Sequence, residues 1–167
     1  TRAVNNANQV TAEVSSLVEN IPTVRGQASI AAVLTGNTMG VDTDQAFQVN
    51  ANNQSVTAVI DGLTNTIKLT IGQYNIDTFT AELQTQINRM ADANGKTVSN
   101  VTVGFDAAKQ ALKITGATAG SDSYIQLIGS QDWGLRDLDV AFGSTTQYAS
   151  IDPDQSAGSN LYVTQNA

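Results

Sequence analysis

The sequence contains neither cysteine nor histidine. Without cysteine the chain can form no disulfide, thiolate metal site or cysteine nucleophile. Without histidine it lacks the commonest general base and the commonest protein metal ligand. A nucleophilic triad would need a lysine or carboxylate base, but the four lysines lie in different predicted elements and none completes a Ser-x-x-Lys pattern. We predict that the chain is not an enzyme and has no catalytic residues and no cofactor.

Charged and aromatic residues are also scarce, at 14% and 5% of the chain. Asn, Gln, Ser and Thr must therefore cover most of the surface, which is unusual for a cytosolic enzyme. The formal net charge is −7, and the basic residues are scattered singly between Arg2 and Arg136. Binding to nucleic acid needs a basic patch that neutralises phosphates. The scattered basic residues form no such patch in the sequence, so we expect no nucleic-acid partner.

Long apolar runs are missing as well. No stretch of about 18 apolar residues is present, so we expect no membrane insertion. Thr1 is not followed by the basic and apolar regions of a cleavable signal. The chain begins without methionine, which indicates a mature protein or an excised fragment. Its 167 residues suffice for one core, or for one core with a smaller lobe.

Paired aspartates are candidate metal ligands. Three pairs have the spacing of ligands for a hard cation: Asp42 with Asp44, Asp137 with Asp139, and Asp152 with Asp154. None continues into the glycine and bidentate glutamate of a calcium loop. Aspartates in turns commonly bond their own backbone instead. We favour that interpretation and predict no metal-binding residues.

Tyr124 and Trp133 can be interpreted in two ways. Either ring could stack on a sugar or a base, which would make the chain a glycan-binding module. A single tryptophan between two predicted strands is more commonly part of the core. We favour the assignment of Trp133 to the core. Glycan binding is therefore our third candidate function, after the two structural roles given below.

The strongest pattern is an amphipathic helix in the middle of the chain. Asn75 is a good N-cap, and Asp77 suits the positive end of the helix. Apolar residues then recur at three- and four-residue steps: Ile76, Phe79, Leu83, Ile87 and Met90. Asn94 and Gly95 predict the C-terminal end. This stripe of five residues needs a surface to cover.

Alternating runs predict strands on both sides of the helix. Residues 67–71 precede it, and residues 98–105 and 111–114 follow it as a hairpin. We expect a β-hairpin, helix, β-hairpin unit whose helix covers the apolar side of an antiparallel sheet. Further strands are predicted at 28–35, 47–49, 56–60, 124–128 and 138–142, and Asp61-Gly62 is the strongest hairpin signal.

The fold class is therefore α+β, mainly antiparallel sheet with one packed central helix and an additional N-terminal helix over about residues 8–18. We divide the chain into three parts: an N-terminal helix and connecting strand (1–35), a β-rich α+β module (36–145), and a C-terminal turn-rich segment or linker (146–167). Residues 161–163 predict a short terminal strand or the start of a linker.

The central unit resembles modules embedded in bacterial flagellin and flagellar hook-associated proteins. The resemblance covers about 80 residues and is carried by residues 67–71, 72–75, 86–88, 101–103, 112–123, 124–125 and 133–139. Similar units occur in phage tail proteins. The resemblance implies a surface-exposed structural domain of a secreted, self-assembling filament or hook-associated protein, with no catalytic residues to carry over.

We accordingly expect an extracellular structural protein of the bacterial flagellum, whose partners are copies of itself or related subunits in a polymer. A virion structural module, in a phage tail, baseplate or fibre, is the alternative. No small-molecule substrate is expected.

Overall fold

The computed structural model describes residues 28–145, together with two short strands at 149–151 and 163–165. The chain divides into two units: residues 1–27 with 147–167, and residues 28–146. The N-terminal helix predicted over 8–18 lies outside the described residues.

The described part of the chain is dominated by antiparallel strands, with one α-helix. The strands are β1 (Ala31–Thr35), β2 (Phe47–Val49), β3 (Ser55–Ile60), β4 (Leu63–Lys68), β5 (Gly72–Tyr74), β6 (Thr102–Asp106), β7 (Ala111–Ala119), β8 (Tyr124–Ile128), β9 (Ala141–Phe142), β10 (Ala149–Ile151) and β11 (Val163–Gln165). The helix α1 spans Ile76–Ile87, and a short 3-10 helix spans Gln131–Trp133. The predicted α+β class is confirmed.

The second unit contains three sheets. One has the order β4-β3-β8-β9, another β1-β7-β6, and β2 pairs with β5. All of these pairings are antiparallel. In the first unit, β10 pairs with β11. The terminal strand begins at Val163, the last residue of the predicted stretch 161–163.

The β3–β4 hairpin has the tight turn that the sequence predicts. Asp61 and Gly62 both adopt positive φ, at 49° and 85°. Two positive φ values are what a type I′ turn requires, and its twist matches that of the flanking strands. Pairing then runs without a shift from Ile60 opposite Leu63 to Ser55 opposite Lys68.

The two hairpins that flank the helix belong to different sheets. β3 pairs with β8 in one sheet, whereas β7 pairs with β1 in the other. The expectation that the helix covers a single antiparallel sheet is therefore wrong. The cause is non-local: the additional neighbour of each hairpin comes from a distant part of the chain, which local alternation cannot reveal.

Helix α1 begins as predicted. The Asn75 side chain accepts a hydrogen bond from the Thr78 N–H (2.9 Å), and the Thr78 hydroxyl oxygen accepts one from the Asn75 N–H (3.0 Å). This reciprocal arrangement is a capping box with Thr at the third helical position. Phe79, Leu83 and Ile87 are fully buried, and Ile76 is partly buried.

The helix ends earlier than predicted, at Ile87. Met90 is buried, but it lies beyond the helix. Asn94 and Gly95 belong to a separate turn, in which the Asp92 carboxylate accepts hydrogen bonds from the Asn94 and Lys96 N–H groups. The prediction of a helix end at Asn94-Gly95 is therefore wrong.

Side chains of α1 and of its C-cap residue, Asn88, bond to backbone groups at the edge of the β1-β7-β6 sheet. Asn88 accepts a hydrogen bond from the Val101 N–H (3.0 Å) and donates one to the Val101 carbonyl (2.8 Å). Gln84 accepts one from the Val103 N–H (2.9 Å). Glu82 accepts one from the Thr70 N–H, just beyond β4 (2.9 Å). The helix is thus bonded both to the β6 edge and to the segment that follows β4.

We predict that Asn88→Ala lowers the free energy of unfolding by about 1–3 kcal/mol, because it leaves a part-buried donor and a part-buried acceptor of Val101 without their partner. Urea unfolding of the full chain measures the change. Thr85→Ala, on the exposed side of the same helix, is the control and should change stability by less than about 0.5 kcal/mol. Equal losses in the two variants would contradict the role given to Asn88.

Three strand predictions need correction. Ile71 does not extend the apolar face of the strand before the helix, since β4 ends at Lys68 and Ile71 is 58% exposed. The run 28–35 is not continuously buried: β1 alternates, and Val33 is 40% exposed because one face of the strand meets solvent. The strand predicted over 138–142 is reduced to the two residues of β9.

Candidate functional site

Trp133 belongs to the core. It is fully buried, and its indole Nε1 donates a hydrogen bond to the Asn53 carbonyl (2.7 Å). Its ring lies 4.4 Å from that of Phe79 and 5.6 Å from that of Phe47. It is therefore not available to stack on a ligand.

The aspartate pairs do not form a metal site in the described part of the chain. Asp42 accepts a hydrogen bond from the Asp44 N–H (3.0 Å), as a turn aspartate does, and both residues are exposed. Asp137 and Asp139 are also exposed, and Asp137 adopts positive φ (56°). Asp152 and Asp154 lie outside the described residues. Nowhere in those residues do three or more potential ligand side chains come together.

Tyr124, unlike Trp133, lies at the surface, beside a cleft that could bind a ligand. It begins β8 and pairs with Phe142 of the edge strand β9. The two rings meet edge to face, with centroids 5.2 Å apart and planes at 72°. Phe142 is 64% exposed. We call Tyr124 and Phe142 the aromatic shelf.

The aromatic shelf lines a shallow, open cleft of about 500 Å³. Asp61, Ser121 and Asp122 line the same shallow cleft. A second cleft, of about 420 Å³, shares Asp61 and Asp122 and extends past Lys96. Carboxylate, hydroxyl and ammonium groups and aromatic carbon thus line the same region.

Asp61 ties the segments of this region together. Its carboxylate accepts a hydrogen bond from the Tyr124 N–H (2.8 Å), and its own N–H donates to the Tyr124 carbonyl (3.0 Å). The Lys96 ammonium donates to the Asp61 carbonyl (2.7 Å). The β3–β4 turn, the start of β8 and the loop after α1 are therefore held in one arrangement.

Gly143 fixes the position of Phe142. Its N–H donates to the Ser123 carbonyl (2.8 Å). A Cβ at this position would overlap the Gly120 carbonyl oxygen and lie 2.5 Å from that of Ile30. Only glycine fits so close an approach to neighbouring backbone.

The sequence indicates Tyr124 as a candidate binding residue. It does not predict that Phe142, Asp61 and Asp122 lie close to Tyr124 in one cleft. The sequence pattern places Phe142 in an alternating strand and Asp61 in a turn. Both assignments describe local structure, whereas the cleft depends on the pairing of β8 with β3 and β9. No local signal in the sequence reports that pairing.

A separate polar cluster surrounds Glu82 at the side of α1. The Tyr74 hydroxyl donates to the Thr70 carbonyl (2.7 Å), and burial and the nearby Glu82 charge raise the pKa of Tyr74. Burial also acts to raise the pKa of Glu82. Hydrogen bonds from Thr70 and Gln86, with the positive charge of Arg89, outweigh that effect and leave the pKa of Glu82 below its ordinary value of 4.5.

This pKa predicts a pH dependence of stability. Because the pKa of Glu82 is lower in the folded chain, its ionised form stabilises the fold above about pH 4.5, and the contribution is lost as the pH falls through the folded-state pKa. Glu82→Gln keeps an acceptor for Thr70 but does not titrate. We expect this variant to lose less stability than the wild type when urea unfolding is repeated in acid. An identical loss in both proteins would contradict the assignment.

No protein-family model, curated protein or solved structure matches the chain. Among the described residues, no helix has the length and apolar character needed to cross a membrane. What the described residues define is a sheet-dominated α+β module with a mixed aromatic and polar cleft at one end of its four-stranded sheet.

Proposed function

We propose that the chain is a structural, surface-exposed domain of a secreted, self-assembling bacterial flagellar filament or hook-associated protein. Its partners in this proposal are copies of itself or related subunits. Residues 28–146 would project from the polymer as an inserted module, and the segments before and after them would belong to the part that anchors the module.

The pairing of Ile30 with Ser144 carries this proposal. The N–H of each residue donates to the carbonyl of the other, at 2.9 Å in both directions. The chain therefore enters and leaves the unit 28–146 side by side. Adjacent ends allow a domain to be inserted into another without disturbing either.

The surface chemistry supports the same proposal. Threonines occupy the outer face of the β3–β4 hairpin, where the Thr57 and Thr66 hydroxyls lie 3.1 Å apart. Short uncharged polar side chains suit a surface displayed to the medium, since they hydrate well and do not depend on the ionic strength. A chain without cysteine also forms no disulfides, native or wrongly paired, in an oxidising environment.

Single introduced cysteines test the proposal with no background, because the chain has none of its own. Thr64→Cys places a thiol on an exposed strand position, and Leu83→Cys places one in the buried core. Intact cells that express each variant are treated with a membrane-impermeant maleimide. We expect Thr64→Cys to be labelled on extracellular filaments and Leu83→Cys to react only after denaturation.

Two other labelling results would contradict the proposal, in part or in full. Labelled Thr64→Cys on phage particles instead of filaments would replace the flagellar proposal with the virion alternative. Failure to label Thr64→Cys on intact cells, with normal labelling after lysis, would contradict display at the surface altogether.

A further inference from the structure

We propose that the aromatic shelf and the two clefts beside it bind a neutral carbohydrate chain. The inference does not depend on the flagellar proposal, because it rests on the side chains of the described module alone. It assigns a binding site to Tyr124, Phe142, Asp61 and Asp122.

The first step is the exposure of Phe142 beside a shallow cleft. An isolated exposed apolar side chain needs no explanation, but Phe142 is 64% exposed, contacts the Tyr124 ring and lines the shallow 500 Å³ cleft. The edge-to-face contact with Tyr124 holds its ring in place, and the Gly143 backbone restrains the strand that carries it. A ligand would therefore meet a preformed aromatic surface, at little cost in side-chain ordering.

The second step is the chemistry of the polar groups that line the clefts together with the shelf. A pyranose ring has an apolar C–H face and a rim of hydroxyl groups. The aromatic rings can cover the C–H face, while carboxylates accept strong hydrogen bonds from hydroxyls. Asp122 is exposed in both clefts, and Ser121 adds a hydroxyl that can donate or accept. This combination suits a polyhydroxylated ligand better than a purely apolar one.

The third step is the size of the two clefts and the charge of the side chains that line them. The two clefts, of about 500 and 420 Å³, adjoin at Asp61 and Asp122, so that a ligand longer than one sugar can extend from one cleft into the other. The region has two carboxylates and one lysine, and the chain carries a net charge of −7. An anionic glycan would be repelled, so the site favours neutral sugars.

The experiment uses the full chain on an array of neutral and sialylated glycans, followed by isothermal titration calorimetry with the best neutral oligosaccharide. We expect binding to neutral glycans, with an affinity that changes little between low and high salt. Phe142→Ala and Asp122→Asn should each weaken binding at least about tenfold, since such a loss corresponds to one well-placed contact. Phe142→Tyr should retain binding.

Ile71→Ala is the matched control, because it removes another exposed apolar side chain that lines neither cleft. Its affinity should equal that of the wild type. Thermal unfolding of every variant shows whether the fold is retained. Absence of binding to any neutral glycan, a preference for sialylated glycans, or unchanged affinity in folded Phe142→Ala and Asp122→Asn would overturn the proposal.

Discussion

Replacing Phe79 with alanine is expected to lower the free energy of unfolding by about 3–5 kcal/mol. Phe79 is fully buried at the centre of the core. Its ring lies 4.4 Å from Trp133, 5.4 Å from Phe47 and 6.1 Å from Tyr74, so it joins α1 to β2, β5 and the 3-10 helix. A cavity at this position removes contacts with all of them. Since whole domains are stable by only about 5–15 kcal/mol, the loss is large.

Urea unfolding, followed by fluorescence and by circular dichroism, measures this loss. Trp133 is the only tryptophan, so its fluorescence reports on the core next to Phe79. Phe142→Ala is the control, because it makes the same chemical change at an exposed position and should cost no more than about 1.5 kcal/mol, the contribution of its ring contact with Tyr124. Similar losses for the two variants would contradict the assigned core.

Gly134→Ala is expected to destabilise the chain by about 2–5 kcal/mol. Gly134 ends the 3-10 helix with φ of 66°, a left-handed conformation that costs other residues about 1–2 kcal/mol. A Cβ there would also overlap the Asn37 carbonyl oxygen. Relieving that overlap requires a backbone shift, which adds about 1–3 kcal/mol. The shift would strain the segment that places Trp133 in the core.

Gly95→Ala separates the two contributions. Gly95 has a similar φ of 84°, but no atom lies within 4 Å of the position that a Cβ would take. This control should cost only the conformational term of about 1–2 kcal/mol. Thermal or urea unfolding compares the two variants. A Gly134→Ala variant no less stable than Gly95→Ala would show that the approach of Asn37 is not tight.

Local features of the fold could be predicted because a few residues determine each of them. Asn75 supplies the cap of α1, and the spacing of Phe79 and Leu83 identifies its buried side. Asp61 and Gly62 accept the positive φ values of a tight turn. In each case the physical cause lies within a few positions of the structure that it produces.

Features that depend on distant partners could not be predicted. Helix α1 ends early at a point where Asn88 bonds to Val101, thirteen positions further along the chain. The hairpins separate into two sheets because β8 and β1 take the open sides of β3 and β7. The candidate site follows the same rule: Asp61 and Tyr124 meet through pairing across 63 positions. Periodicity gives the face of a strand but not its neighbour.

Amide hydrogen exchange of the full chain, measured residue by residue by NMR, tests most directly whether α1 is bonded to both flanking segments. The N–H groups of Val101, Val103 and Thr70 donate to side chains of the helix, so we expect them to exchange slowly. Phe105 follows two positions after Val103 on the same edge, and no α1 side chain accepts from it in the described part of the chain, so its amide should exchange faster. Exchange of Val101, Val103 and Thr70 as fast as that of Phe105 would contradict the position of the helix.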